Sequence, residues 1–138
     1  MFKAIEQIKE AFEARGLKYQ FIENEITQRI IAQMGGDSAS YLFQFISTDD
    51  TNRVAVRVFD IITVPEHKKM IVLAVASKLN RINDSIAKFT LDDDNTITAG
   101  FDFPASFEPI GPGAIEVLFG MTEIQDAAYP KFAEIIAN

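Results

Sequence analysis

The sequence contains no cysteine, which excludes disulfide bonds, thiol catalysis and metal sites built from thiolates. It contains a single histidine, His67. A histidine acting as general base needs a positioned substrate and an orienting partner, so we interpret a lone one as an exposed polar residue. Without cysteine or a second histidine, a transition-metal site is also disfavoured. We expect no catalytic residue, no bound metal and no cofactor.

Long apolar runs are also absent. The longest covers residues 70–76, far short of the roughly 20 residues needed to cross a bilayer. Near the amino terminus, Glu6 and Glu10 interrupt the region where a signal peptide would need continuous apolar residues. We therefore expect a cytoplasmic protein.

Basic residues are in deficit, with 13 Lys and Arg against 20 Asp and Glu, for a net charge of -7. A field of this sign repels phosphate backbones and anionic lipid. Nucleic acid and membrane surfaces are therefore not expected as partners.

The motifs of common ligand sites are missing as well. The acidic run from Asp92 to Asp94 could suggest calcium, but a calcium loop starting there needs glycine where Ile97 stands and glutamate where Phe103 stands. We interpret the run as a hairpin turn, and Asp49 and Asp50 likewise. No phosphate-binding glycine loop or nucleophile elbow occurs, and residues 111–113 (Gly-Pro-Gly) predict a rigid entry to the last helix.

The chain is rich in apolar residues, which make up 48% of its 138 residues and include twelve phenylalanines. This suits one core, and we expect residues 1–138 to form a single domain. Periodic spacing predicts helices over residues 2–15, 65–83 and from 114 onward, the last broken or kinked at Pro130. Alternating segments predict strands over residues 18–22, 25–32, 39–47, 53–64, 85–91 and 96–103.

This order, α-β-β-β-β-α-β-β-α, predicts an α+β fold with a single, mainly antiparallel sheet. Strands joined by tight turns pair antiparallel, and helices that bracket such a sheet usually gather on one face. In the strand over residues 53–64, a valine face should meet the helices. The opposite face combines Arg53 and Arg57 with Phe59 and Ile61, and is more apolar than a solvated surface requires.

The central helix is apolar nearly all round over residues 70–76. An ordinary surface helix keeps a polar half, so a second surface should cover this one. We expect a homodimer with Met70, Ile71, Leu73 and Ala74 at its interface. The alternative is that the alanines tolerate exposure and the apolar stripe is simply wide.

Three local patterns accompany this order of elements: Leu-Asn-Arg-Ile-Asn at 79–83, Ala-Lys-Phe-Thr-Leu-Asp at 87–92 and Ala-Tyr-Pro at 128–130. Together they resemble the YbjN-like family, which shares the fold of type III secretion chaperones. The resemblance implies a non-enzymatic domain that binds other proteins or dimerises. It carries over no active-site residue, because those chaperones have no portable catalytic motif.

Candidate protein-binding residues lie on the face of the sheet expected to point away from the helices. They are Arg29, Arg57, Phe59, Ile61 and Lys88. Arginine beside an aromatic residue suits protein contact because it donates many hydrogen bonds and can stack. A solvated face with scattered apolar residues remains the alternative.

Two further sets of residues complete the predictions. Asn80 and Asn83 near the end of the central helix are expected to cap it and to bond the following strand, because asparagine competes for backbone groups.

The leading function is a dimeric, chaperone-like protein-binding or regulatory module. The alternative is a small-molecule-binding domain or enzyme whose pocket, between sheet and last helix, is lined by Phe101, Phe103 and Phe107.

Overall fold

The architecture is taken from a computed structural model, which describes residues 1–82 and 86–138. These residues form three α-helices, one 3₁₀ turn and six strands. The elements are α1 (Lys3–Ala14), β1 (Gln20–Glu23), β2 (Gln28–Gly35), β3 (Ser40–Ser47), β4 (Val54–Val58), the 3₁₀ turn η1 (Glu66–Lys68), α2 (Lys69–Ile82), β5 (Lys88–Leu91), β6 (Ile97–Phe103) and α3 (Ile110–Ala137).

The six strands form one antiparallel sheet in the order β1-β2-β3-β4-β6-β5. The first four make a meander, and β6 returns between β4 and β5. The predicted fold class and order of elements are confirmed. Segment 83–85, which contains Asn83 and the predicted start of the fifth strand, lies outside the described residues.

Alternation along the strands separates a buried face from an open one, because successive side chains point to opposite sides. On β3, Tyr41, Phe43 and Phe45 are buried, and their partners Ile30 and Val56 lie on the same side. The helices cover this inner face. In α1, for example, the ring of Phe12 packs edge-on against that of Phe45, with centroids 5.7 Å apart.

The predicted strand over residues 53–64 is wrong in its length, because β4 ends at Val58. Val58 lies opposite Ala99, whereas Thr63 lies opposite Thr96, so the chain inserts two extra residues between these contacts. Asp60 has φ 55°, the left-handed region that an aspartate tolerates at a bulge. Residues 59–62 therefore lie outside the pairing of β4, and Val64 beyond them is buried again like Val58.

The limits of β1 and β2 also differ from the predicted 18–22 and 25–32. The Asn24 side chain accepts hydrogen bonds from the N–H groups of Ile26 and Thr27, at 2.8 and 2.7 Å. This asparagine turn holds Ile26 in a solvent-exposed loop, outside the strand predicted to begin at residue 25. At the other end Gly35 belongs to β2, paired with Ser40, and is not a turn residue.

The last helix starts earlier than predicted, at Ile110, so residues 111–113 form its first turn and are not a linker. Both glycines are buried where a side chain would collide. A Cβ on Gly111 would lie 2.9 Å from the Gln7 carbonyl oxygen of α1, and one on Gly113 would lie 2.5 Å from the Phe107 ring. Close packing therefore outweighs the poor helix propensity of glycine. Pro130 lies inside the helix, which continues to Ala137.

Asp126 of α3 holds the turn between β2 and β3. Its carboxylate accepts hydrogen bonds from the Asp37 and Ser38 N–H groups, each 2.8 Å, and from the Tyr41 hydroxyl at 2.9 Å. The bond from Ser38 is the main cause that lowers the pKa of Asp126, although partial burial opposes it. Burial, reinforced by this carboxylate, raises the pKa of the Tyr41 phenol.

Replacing Asp126 by asparagine should lower the Tm at pH 7 by several degrees. Both carboxylate oxygens accept hydrogen bonds from backbone N–H groups, and asparagine replaces one of these oxygens by an NH₂ group, which is itself a donor. A carboxyl group with a lowered folded-state pKa stabilises the fold above its unfolded pKa, about 3.9, and loses this effect as the pH falls through the folded value. The Tm difference between wild type and Asp126→Asn should therefore narrow as the pH is lowered from about 5 to about 3. Thermal melts followed by circular dichroism measure it, and a constant difference would contradict the assignment.

Candidate protein-binding surfaces

Helix α2 buries one side and exposes the other. Val72, Ala76 and Leu79 are buried, whereas Met70, Ile71 and Leu73 are 83%, 51% and 45% exposed. The single chain therefore leaves uncovered the side chains predicted to form a dimer interface, Ala74 included.

The exposed side of α2 changes character along its length. Its solvent-facing positions are Met70, Ile71, Leu73, Ala74, Ser77, Lys78, Arg81 and Ile82. The first two turns are apolar, the next turns are basic, and none of these positions is acidic. The apolar part, Met70, Ile71, Leu73 and Ala74, is called the α2 patch below.

The open face of the sheet carries three of the five predicted binding residues. The strand register places Arg29 opposite Ile46, Arg57 opposite Gln44, and Lys88 opposite Gly100, all pointing away from the helices.

Their surroundings differ. The Arg29 guanidinium donates to Gln44 Oε1 at 2.6 Å, while that of Arg57 forms an ion pair with Asp102 at 2.9 Å. The Lys88 ammonium donates to the Asn80 carbonyl oxygen at 2.7 Å. Arg57 and Lys88 flank the same glycine, whereas Arg29 lies two strands from Arg57.

Ile61 does not join this face, which corrects its predicted placement, whereas the outward placement of Phe59 stays a prediction. Both lie beyond the end of β4, on either side of the left-handed Asp60. Phe59 is exposed, while Ile61 packs against the core and donates its N–H to the Ile97 carbonyl oxygen at 2.9 Å. The bulge cannot be recognised from the sequence, because Ile62 and Val64 continue the alternating apolar pattern past it.

Asn80 makes the helix-to-strand bonds predicted for it. Its side-chain amide donates to the Phe89 carbonyl oxygen at 2.9 Å and accepts from the Phe89 N–H at 2.7 Å. It thus pairs with β5 as a neighbouring strand would, on the side of β5 away from β6. An outer sheet edge that is occupied in this way is protected from pairing with another chain.

The acidic runs act as turn residues. Asp94 accepts from the Thr96 N–H and hydroxyl, at 3.1 and 2.6 Å, and Asp92 accepts from the Thr98 hydroxyl. At Asp49, the hydrogen bond from the Thr51 hydroxyl is the main cause of a lowered pKa. Within residues 1–82 and 86–138, no group of three acidic or histidine side chains is arranged to hold a metal ion. His67 is exposed in η1.

The three phenylalanines of the alternative pocket pack against one another. The ring centroids of Phe101 and Phe103 are 5.0 Å apart, and those of Phe103 and Phe107 are 4.9 Å apart. Phe103 is fully buried, and the Phe107 ring touches the helix at Gly113. The rings thus fill the space between sheet and helix where the pocket was predicted.

The more open depressions of the surface lie at the sheet. One of 710 Å³ has Leu17, Lys18, Ile31, Gln33 and Leu42 among its lining residues. Another, of 560 Å³, is lined by Ile46, Thr48, Arg53, Ala55, Asp102, Phe103 and Pro104. Sequence reasoning did not propose Ile22, Leu42 and Ile46 as binding residues, although alternation along β1 and β3 places them opposite the buried side chains.

A model of the YbjN family, described as "Putative bacterial sensory transduction regulator", matches residues 4–129 of the chain. No curated protein and no solved structure matched. Across the described residues, none of the helices has both the length and the apolar character needed to span a bilayer.

Proposed function

The chain belongs to the YbjN family, and we propose that it is a non-enzymatic regulatory module that binds other proteins and acts as a homodimer. The α2 patch joins the two copies, and the open face of the sheet holds a segment of a partner protein. This division of roles follows the secretion-chaperone-like behaviour that the resemblance implies. A cytoplasmic location completes the proposal.

The observation that carries the proposal is the exposure of Met70, Ile71 and Leu73 side by side on one helix. Covering their exposed fractions in both copies would contribute on the order of 5–11 kcal/mol, taking about 1.5–3 kcal/mol for each fully buried side chain. Association costs about 4–15 kcal/mol, so we expect a dimer that dissociates on dilution. Symmetric pairing of the first two turns leaves the basic Lys78 and Arg81 outside the contact.

Light scattering coupled to size exclusion tests the dimer. The wild-type protein should give twice the monomer mass of 15.4 kDa at high concentration. Leu73→Asp should give the monomer mass with an unchanged circular dichroism spectrum, because a carboxylate would be desolvated at the centre of the interface.

Ile26→Asp is the matched control, since it places the same charge on an exposed isoleucine in the β1–β2 turn, and it should remain dimeric. A wild-type protein that stays at the monomer mass at every concentration would overturn the proposal, as would a Leu73→Asp variant as dimeric as the wild type.

A further inference from the structure

The outer face of the meander contains no acidic side chain, although acidic residues outnumber basic ones in the whole chain. The strand register gives its outward positions. They are Gln20, Ile22, Arg29, Ile31, Gln33, Gly35, Ser40, Leu42, Gln44, Ile46, Ala55 and Arg57. Five of these twelve are apolar, and the two charged ones are arginines. This set is called the meander face below.

Arg29 supplies the uncompensated charge of the meander face. Its side chain donates to Gln44 at 2.6 Å and to Thr27 at 3.3 Å, and both partners are neutral. The other arginine, Arg57, is partly neutralised by Asp102 on the adjacent β6. The apolar Ile22, directly opposite Arg29, is 44% exposed, and Leu42, opposite Gln33 further along β2, is 49% exposed. A surface that combines apolar side chains with a cation complements an apolar segment that bears carboxylates.

Other occupants fit less well. The meander face has no aromatic side chain on which a nucleic-acid base could stack, and its one uncompensated cation, Arg29, is far fewer than the cluster of basic residues that typically binds an anionic lipid surface. The α2 patch of a second copy is bordered by Lys78 and Arg81, so its approach would bring like charges together. The charges therefore favour a different protein as the occupant.

We propose that the meander face binds an amphipathic helix of a partner protein, in which glutamate or aspartate flanks an apolar stripe. This inference rests on the proposed function and names the chemistry of the segment that the open sheet face holds. A helix laid there would cover the bare side of the sheet, as the protein's own helices cover the other side.

The spacing of the apolar positions sets the length of the helix. Leu42 and Ile46 are four residues apart on β3, which is about 13 Å along a strand. Eight residues of an α-helix rise about 12 Å and complete just over two turns, so apolar side chains eight positions apart share one face and reach both. Leu42 borders the 710 Å³ depression next to Lys18, and Ile46 borders the 560 Å³ depression next to Arg53. Both ends therefore offer space for a side chain beside a cation, although Asp102 also lines the depression at Ile46, so the end at Leu42 and Lys18 is the better match for a carboxylate.

Fluorescence anisotropy with synthetic helices tests the inference. The acidic probe is a labelled peptide of about 18 residues, roughly five helical turns, made of leucine, glutamate and alanine with leucines on one face. A second probe replaces glutamate by lysine, and a third keeps the composition but disperses the leucines. The acidic probe should bind at least about tenfold more tightly than either of the others, and added salt should weaken its binding.

Arg29→Glu should weaken binding of the acidic probe at least about tenfold, since it reverses the charge that the probe contacts. Arg15→Glu makes the same charge change at the end of α1, on the helix side of the molecule, and should leave binding unchanged. Equal binding of the acidic and basic probes, or an Arg29→Glu variant that binds like wild type, would overturn the inference. So would preferential, Arg29-dependent binding to phosphatidylglycerol vesicles or to a single-stranded oligonucleotide.

The anisotropy titrations are repeated on Leu73→Asp, which leaves the meander face intact. This distinguishes a failure of the docking inference from a failure of the proposed dimer. A dimeric wild type that binds no probe refutes the docking inference alone. A monomeric wild type that binds the acidic probe refutes the dimer alone.

Discussion

Replacing Gln125 by methionine is expected to raise the free energy of unfolding by about 1–3 kcal/mol. Gln125 is fully buried on the core side of α3, and neither its Nε2 nor its Oε1 atom has a hydrogen-bond partner among the described residues. An unpaired buried amide loses its hydration without compensation. Methionine is similar in length and flexible, and it fills the same space without polar atoms. Urea unfolding of the two proteins measures the difference.

Gln33→Met is the matched control, because Gln33 is exposed on β2 and the change should leave stability nearly unaltered. Gln125→Glu should destabilise strongly, since it buries a charge or forces the carboxyl group to remain protonated. A Gln125→Met variant less stable than wild type would show that the amide is bonded in solution, contrary to this account.

Replacing Asn80 by alanine is expected to lower the free energy of unfolding by about 2–4 kcal/mol, because the N–H and the carbonyl oxygen of Phe89 both lose their partner. Phe89 is buried in β5, at the outer edge of the sheet, so water replaces the lost bonds poorly. The same change removes the Asn80 amide that covers this edge at Phe89, so the variant should also aggregate more readily. Chemical unfolding and light scattering measure the two effects.

Two further variants make this prediction specific. Ser77→Ala changes an exposed position one turn earlier on α2 and should be nearly neutral. Asn80→Asp keeps the acceptor for the Phe89 N–H but loses the donor to its carbonyl oxygen, so its stability should fall between wild type and Asn80→Ala. If Asn80→Ala were as stable as Ser77→Ala, the amide would not be pairing with the strand.

The sequence predicted the elements whose signals are local. The amphipathic spacing of Ile5, Ile8 and Phe12 located α1, and the alternation of β3 located its buried aromatics. Prediction from the sequence failed where contacts between distant residues determine where an element begins or ends. Gly111 and Gly113 are poor helix formers, yet α3 includes them because neighbouring atoms leave no room for a side chain. Nothing in the sequence around Asp60 indicates the bulge that ends β4.

The candidate surfaces, too, were only partly predictable from the sequence. The exposed apolar side of α2 could be predicted, because an all-round apolar helix exceeds what one sheet covers. The outward placement of Arg29, Arg57 and Lys88 followed from alternation, because each residue lies in the part of its strand where the predicted and the observed limits overlap. The acid-free character of the meander face could not be read from the sequence, because it depends on the register of four separate strands. Glu23 and Asp49 lie close in sequence to its residues but not among its outward positions.

If a second copy covers the α2 patch, it should shield the Met70 sulfur from peroxide. The rate at which peroxide oxidises Met70 therefore measures whether the patch is covered. In the single chain Met70 is 83% exposed and Met1 is 55% exposed, so Met70 should react faster wherever the protein is monomeric. Mass spectrometry of the concentrated wild-type protein should instead show Met70 reacting more slowly than Met1, with the order reversed in Leu73→Asp. Faster oxidation of Met70 than of Met1 in the concentrated wild type would contradict the account.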